Sequence, residues 1–170
     1  TIYAGAGSEY LEGGEGNNLL EGCTTVDSNG AQVGAEVLVS NGEGRDSLFA
    51  GDGATTIYGG DGSDIILGGN GGNNVIYTGD GGTSANKTSV YLEDADTTVY
   101  GGLGVDAING GSGNDVIYVG DGGDASAGAS GASFASLAGG NATVYGGAGF
   151  NVIYGGGGAD VLYCGDGGTN

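Results

Sequence analysis

The chain has 170 residues, 45 of them Gly and none Pro, Trp, Met or His, and its 21 acidic against 2 basic residues give a net charge of −19. Gly is about a quarter of the chain, against roughly 7% in ordinary proteins, and the lack of Pro and of a G-X-Y period excludes collagen and polyproline. The charge excludes nucleic acid and anionic membrane surfaces as partners, the missing His removes Ser/His, Cys/His and His-zinc chemistry, and no apolar run approaches the ~20 residues of a membrane span.

In chain order, TIYAG from Thr1 returns as TIYGG from Thr56, TVYGG from Thr98 and TVYGG from Thr143, the last two intervals being 42 and 45 residues. Within these modules a nine-residue unit recurs: GGDGSDIIL from Gly59, GGLGVDAIN from Gly101, GGSGNDVIY from Gly110, GGAGFNVIY from Gly146 and GGGGADVLY from Gly155. Degenerate copies start at Ala4, Gly13, Asn41 and Ala50, LEDADTTVY from Leu92 keeps the length, and GGNGGNNVIY from Gly68 carries one extra residue. Each unit reads as a turn in which Gly supplies otherwise closed backbone angles, then a three-residue strand with its middle side chain buried. Ile66, Ile108, Ile117, Ile153 and Leu162 share that buried frame. A flexible Gly linker has no reason to place them so.

The frame breaks after Glu21, Tyr77 and Tyr118, giving loops over about 22–45, 78–88 and 119–132. The spacing predicts one solenoid over 1–170, with modules near 1–23, 41–82, 89–124 and 134–170 and two nine-residue units per coil. With four strands per module, every loop leaves from one edge. Glu36 to Ser40 (EVLVS) is a candidate extra strand or hairpin without an assigned place.

The tandem GGxGxDxUx pattern, U being a large aliphatic residue, resembles the RTX nonapeptide repeat, and the resemblance covers most of the chain outside the loops. It implies an all-β, parallel β-roll or β-solenoid of a secreted protein, with Ca2+ between stacked turns held by turn aspartates and turn carbonyls. Carboxylates and open carbonyls are ligands for such a hard cation on their own chemistry. The positions carried over are Asp46, Asp64, Asp106, Asp115 and Asp160, with Asp124 at the foot of a loop. The same position is Glu9, Asn18, Thr55, Asn74 and Asn151 in other copies. Sorting by edge places Asp46, Asp64 and Asp106 with Asp80 and Asp121 of the GDGG loop openings on the loop edge. Asn18, Thr55, Asn74, Asp115 and Asp160 fall opposite, where capping of backbone N–H groups is the alternative role.

Flanking the buried strand positions, Tyr3, Tyr58, Tyr77, Tyr100, Tyr118, Tyr145 and Tyr163 would form a ladder on one face. Such a stripe is either a binding face for another subunit, a glycan or ice, or simple cross-strand stacking. Cys23 and Cys164, six coils or roughly 28 Å apart at ~4.8 Å per coil, are too distant for an intrachain bridge and become candidates for an interchain disulfide. Asn86-Lys-Thr and Asn141-Ala-Thr match the glycosylation acceptor pattern. A solenoid beginning on a strand at Thr1 and ending just after Tyr163 presents two uncapped ends, which polymerise head to tail.

The functional expectation is a non-enzymatic, secreted or cell-surface Ca2+-binding structural protein. It would have itself as partner in an extracellular filament, surface layer or adhesin, with glycans or other surface proteins as further partners. The alternatives are an RTX secretion and stability module of a larger enzyme or toxin, and a glycan- or ice-binding face.

Overall fold

A computed structural model describes residues 1–24, 34–83, 86–122 and 132–165. Short β-branched and Tyr-rich segments alternate with Gly turns, and strands form wherever an inward aliphatic residue is flanked by two outward ones. Sheet A holds β1 (Ile2–Tyr3), β3 (Leu19–Glu21), β5 (Ser47–Phe49), β7 (Ile65–Leu67), β9 (Thr88–Tyr91), β11 (Asp106–Asn109), β13 (Ser133–Ser136) and β15 (Asn151–Tyr154). Sheet B holds β2 (Tyr10–Gly13), β4 (Ala35–Ser40), β6 (Ala54–Tyr58), β8 (Asn73–Gly79), β10 (Asp96–Gly101), β12 (Val116–Tyr118), β14 (Thr143–Tyr145) and β16 (Val161–Tyr163). Each strand pairs in parallel with the second strand before and after it, so the chain crosses between the sheets at every turn. This is the expected parallel β-roll with two strands per coil, and no helix among the described residues is long and apolar enough to cross a membrane.

The core is one file of aliphatic residues from each sheet. Leu20, Leu48, Ile66, Val90 and Ile108 of sheet A face Leu38, Ile57, Ile76, Val99, Ile117 and Val144 of sheet B. Ile153 is partly buried against this core. Leu162, on the outermost strand of sheet B, is 45% exposed.

The Gly turns stack as tightly as the strands. A Cβ on Gly62 would collide with the carbonyl oxygen of Gly44, and one on Gly104 with that of Gly81, so backbone packs on backbone from coil to coil. Gly60 and Gly79 add φ values of 87° and 83°, the left-handed region that favours Gly.

One correction reorders the first third of the chain. Residues 35–40, expected within the 22–45 loop, form the full strand β4, because Glu36, Leu38 and Ser40 point inward while Val37 and Val39 point outward. Counting β4 moves Thr1–Tyr3 and Leu19–Glu21 into sheet A. Loops 80–87 and 119–132 leave sheet B, whereas the connection from β3 to β4 leaves sheet A, so the loops do not all share one edge.

Candidate metal centre

Turns leading from sheet B into sheet A form one edge of the roll, here called the aspartate edge. At the end of its successive turns stand Asn18, Asp46, Asp64, Thr88, Asp106, Ser133 and Asn151. Asn18, expected opposite, belongs here because of the β4 insertion. The opposite edge carries Glu9, Glu36, Thr55, Asn74, Thr97, Asp115, Ala142 and Asp160.

At both edges a side-chain oxygen reaches back to the backbone N–H of the equivalent residue one coil earlier. On the aspartate edge Asp46 N–H donates to Asp64 Oδ1 at 2.9 Å, Asp64 N–H to Thr88 Oγ1 at 3.4 Å and Asp106 N–H to Ser133 Oγ at 3.1 Å. On the opposite edge Thr55 N–H donates to Asn74 Oδ1 at 2.9 Å, Thr97 N–H to Asp115 Oδ1 at 3.1 Å and Ala142 N–H to Asp160 Oδ1 at 3.1 Å. At Asp64, Asp115 and Asp160 one carboxylate oxygen is thus spent on coil stacking, and the other decides whether a cation has a place.

That second oxygen differs from turn to turn, and at the opposite edge Glu9 Oε2 is buried with no hydrogen-bond partner. Asp160 Oδ2 accepts from Gly156 N–H at 3.1 Å, and Asp46 accepts from Asn18 N–H and the Ser40 hydroxyl. Asp64 Oδ2 and both oxygens of Asp106 are buried with no hydrogen-bond partner. An unsatisfied buried carboxylate oxygen is costly. Burial accordingly pushes Asp64 up to about 7, against a hydrogen bond from the Asp46 backbone, and Asp106 up to about 8, against the Thr78 hydroxyl beside it, with the Asp46 and Asp80 carboxylates adding to the rise. Burial also raises Asp115, to about 6, against hydrogen bonds from the Thr97 and Gly111 backbone.

The remaining predicted residues are placed as follows. Asp80 and Asp121 are exposed at the aspartate edge and cap the next coil, accepting from Leu103 N–H at 3.1 Å and Ala148 N–H at 2.7 Å. Asp124 lies outside the described residues. Among the described residues no three His, Cys, Asp or Glu side chains converge. A cation here would therefore draw mainly on backbone carbonyls, and the all-oxygen donor set fits a hard cation of six to eight ligands.

Two groups were not found from the sequence. Glu36 is buried at the opposite edge, accepting from Cys23 N–H at 2.7 Å and the Thr55 hydroxyl at 3.2 Å. Thr88 and Ser133 take the turn-end position with a hydroxyl. Glu36 was legible only as the inward residue opening the alternating run EVLVS, and the hydroxyls only by counting coils.

Against this geometry the chain was compared with known proteins. Residues 1–22, 40–72, 69–82, 93–134 and 138–168 match the family model for the RTX calcium-binding nonapeptide repeat (4 copies). The chain belongs to this family. RTX nonapeptide repeats bind calcium, and the orphaned carboxylate oxygens at Asp64 and Asp106 are consistent with that cation. No curated protein and no solved structure matches the chain.

Six of the seven predicted ladder tyrosines stack on this RTX roll. Tyr58, Tyr77, Tyr100, Tyr118, Tyr145 and Tyr163 run down the outer face of sheet B with centroids 4.8 to 5.0 Å apart and planes within 10° of parallel. Tyr3 does not join them, because β1 lies in sheet A with Tyr3 opposite Glu21. Neighbouring rings cover each other's faces, leaving edges and hydroxyls outward.

Cys23 is buried after a strand of sheet A, and Cys164 is exposed after a strand of sheet B. The two thus sit at opposite edges of the roll and not at the one edge expected from the sequence, because β4 adds a strand between them. Asn86 is exposed and accepts from Arg45 at 2.8 Å; Asn141 is exposed and accepts from Ala159 N–H at 2.8 Å.

Proposed function

We propose that this protein is a secreted, non-enzymatic structural subunit folded by external calcium, with rolls stacking end to end into an extracellular filament or layer. Asp64 and Asp106 would hold the ions at the aspartate edge, completed by carbonyls of the stacked Gly turns. Calcium there neutralises carboxylates that otherwise resist burial, so the acidic chain stays unfolded where calcium is scarce and folds at the millimolar calcium of extracellular modules.

The observation carrying the stacking is that, among the described residues, no strand pairs with the outer sides of β1, β2, β15 and β16. Leu162 and Ile2, both on inward files, are 45% and 38% exposed, and a hollow of about 120 Å³ lined by Asn151, Ile153, Leu162 and Cys164 opens beside β16. Continuing both sheets from one copy to the next sets Leu162 over Leu11 and Ile153 over Ile2, joining the two cores.

Sedimentation velocity with millimolar calcium and then with excess chelator tests this reading. Large polymers in calcium and an expanded monomer in chelator are expected. A compact monomer in calcium overturns the stacking and favours the second reading, in which the same edges meet further repeats of a larger secreted enzyme or toxin. No response to calcium overturns the ion assignment.

A further inference from the structure

The tyrosine ladder is not used by the calcium edge, and its chemistry is singled out by composition. The chain has no Trp, Met or His, so apart from two thiols its ten phenols are the groups that most readily give up an electron. Six of them form the single stack on sheet B. We propose that this ladder is a modification site at which a peroxidase with hydrogen peroxide joins neighbouring rings into dityrosine, tying consecutive coils together covalently. The proposal rests on the secreted, calcium-folded roll proposed above.

The reaction balances without further reagents. Two neighbouring phenols each lose one electron and the hydroxyl proton, giving two phenoxyl radicals. Their ortho carbons form one C–C bond, and the two ring hydrogens at those carbons pass to the oxygens as aromaticity returns. One hydrogen peroxide takes up the two electrons and two protons and leaves as two waters.

Register is what makes the coupling intramolecular. Tyr58 pairs with Tyr77, Tyr77 with Tyr100, Tyr100 with Tyr118, Tyr118 with Tyr145 and Tyr145 with Tyr163, so equivalent ring atoms sit one strand apart and a radical has its partner beside it. The other four tyrosines separate this from mere exposure. Tyr3, Tyr10, Tyr91 and Tyr154 are 66%, 62%, 47% and 59% exposed, against 37–41% for Tyr58, Tyr77, Tyr100 and Tyr118 and 51% for Tyr163 at the end of the ladder. Their register partners are Glu21, Val37, Leu67, Asn109 and Ser136, none of them aromatic. If exposure alone governed the reaction, Tyr3, Tyr10 and Tyr154 would react first, and none of them has a tyrosine as its register partner.

The test treats dilute protein in calcium with peroxidase and limiting peroxide, then reads dityrosine fluorescence and maps the links by mass spectrometry. A single-chain product is expected, lighter by two hydrogens per bond, with links within the ladder and at most three per chain. That product is expected to keep its β circular dichroism in a chelator concentration that unfolds untreated protein. Tyr100→Phe keeps a ring in the stack but removes one phenol, and is expected to lower the maximum to two links. Links confined to Tyr3, Tyr10, Tyr91 and Tyr154 between chains, an unchanged maximum in Tyr100→Phe, or no dityrosine each overturn the proposal. Circular dichroism before oxidation keeps the two readings apart: a chain folded in chelator that still links along its ladder sinks the calcium reading and supports this one.

Discussion

The two edges of the roll solve the same stacking problem with different chemistry. At each, a turn-end oxygen accepts the backbone N–H of the coil before it, as Asp64 does for Asp46 and Asp160 does for Ala142. At the opposite edge the protein also meets the second oxygens of Asp160, through Gly156 N–H, and of Glu36, through Cys23 and Thr55, while Glu9 Oε2 is left unmet. At the aspartate edge it leaves Asp64 and Asp106 oxygens buried and unmet. Family membership alone would assign calcium to both edges equally. The comparison teaches that turn carboxylates differ in what meets their second oxygen: Asp46 and Asp160 find it within the protein, whereas Asp64 Oδ2 and Glu9 Oε2 do not.

The largest effect follows from removing an aspartate-edge carboxylate. Asp64→Ala and Asp106→Ala are each expected to raise the calcium midpoint for folding at least tenfold, about 1.4 kcal/mol or more, in a titration followed by circular dichroism. An unchanged midpoint for both would remove the distinction between the edges.

Next in size is the pH dependence in chelator. Asp64 and Asp106 have folded-state values of about 7 and about 8, above the ordinary 3.8. The folded metal-free chain therefore holds more protons than the unfolded one, and stability falls as pH rises. The contribution is full below pH 3.8 and lost as pH passes 7 to 8. In chelator the fold is thus expected to be most populated near pH 4 and lost as pH rises to 8, followed by circular dichroism. Saturating calcium should reverse that slope, since protons then compete with the ion. A fold in chelator that strengthens with pH would show that burial does not hold these carboxyls protonated.

How much of this was legible in the sequence depends on local pattern against counting. The nine-residue frame needs only a Gly turn and one inward aliphatic residue, so Ile66, Ile108 and Ile117 were readable from their spacing, and so were six rungs of the tyrosine ladder. The edge assignment depends on how many strands precede a residue. One missed strand, β4, therefore moved Tyr3 out of the ladder, Asn18 to the other edge and the first loop away from its fellows. The second carboxylate oxygen was beyond reach for another reason. Whether Asp160 finds Gly156 N–H, or Asp106 finds nothing, is settled by turn geometry that one Asp letter does not encode.

A smaller effect is expected at the opposite edge. Asp160→Ala loses two backbone hydrogen bonds, from Ala142 and Gly156, and should cost about 1–3 kcal/mol in a calcium-saturated denaturant titration while the number of ions bound at saturation is unchanged. Loss of a bound ion in Asp160→Ala would make Asp160 a ligand and the edges equivalent.

The smallest effects come from one chemical change made at both edges. Glu36→Gln replaces a buried carboxylate whose two oxygens already meet Cys23 N–H and the Thr55 hydroxyl. The amide oxygen can keep the Cys23 bond, and the Thr55 hydroxyl can turn to accept from the new NH2, so stability in calcium should change by less than about 1 kcal/mol. Asp106→Asn makes the same substitution of amide for acid at a carboxyl that burial holds protonated beside the Thr78 hydroxyl. It should stabilise the metal-free chain near pH 7, because no acid then has to take up a proton on folding, and at the same time blunt the response to calcium. A calcium titration of the two variants side by side isolates the charge from the volume. If Glu36→Gln loses calcium affinity as Asp106→Asn does, the bonds to Cys23 and Thr55 are not what closes the opposite edge, and calcium binds there as well.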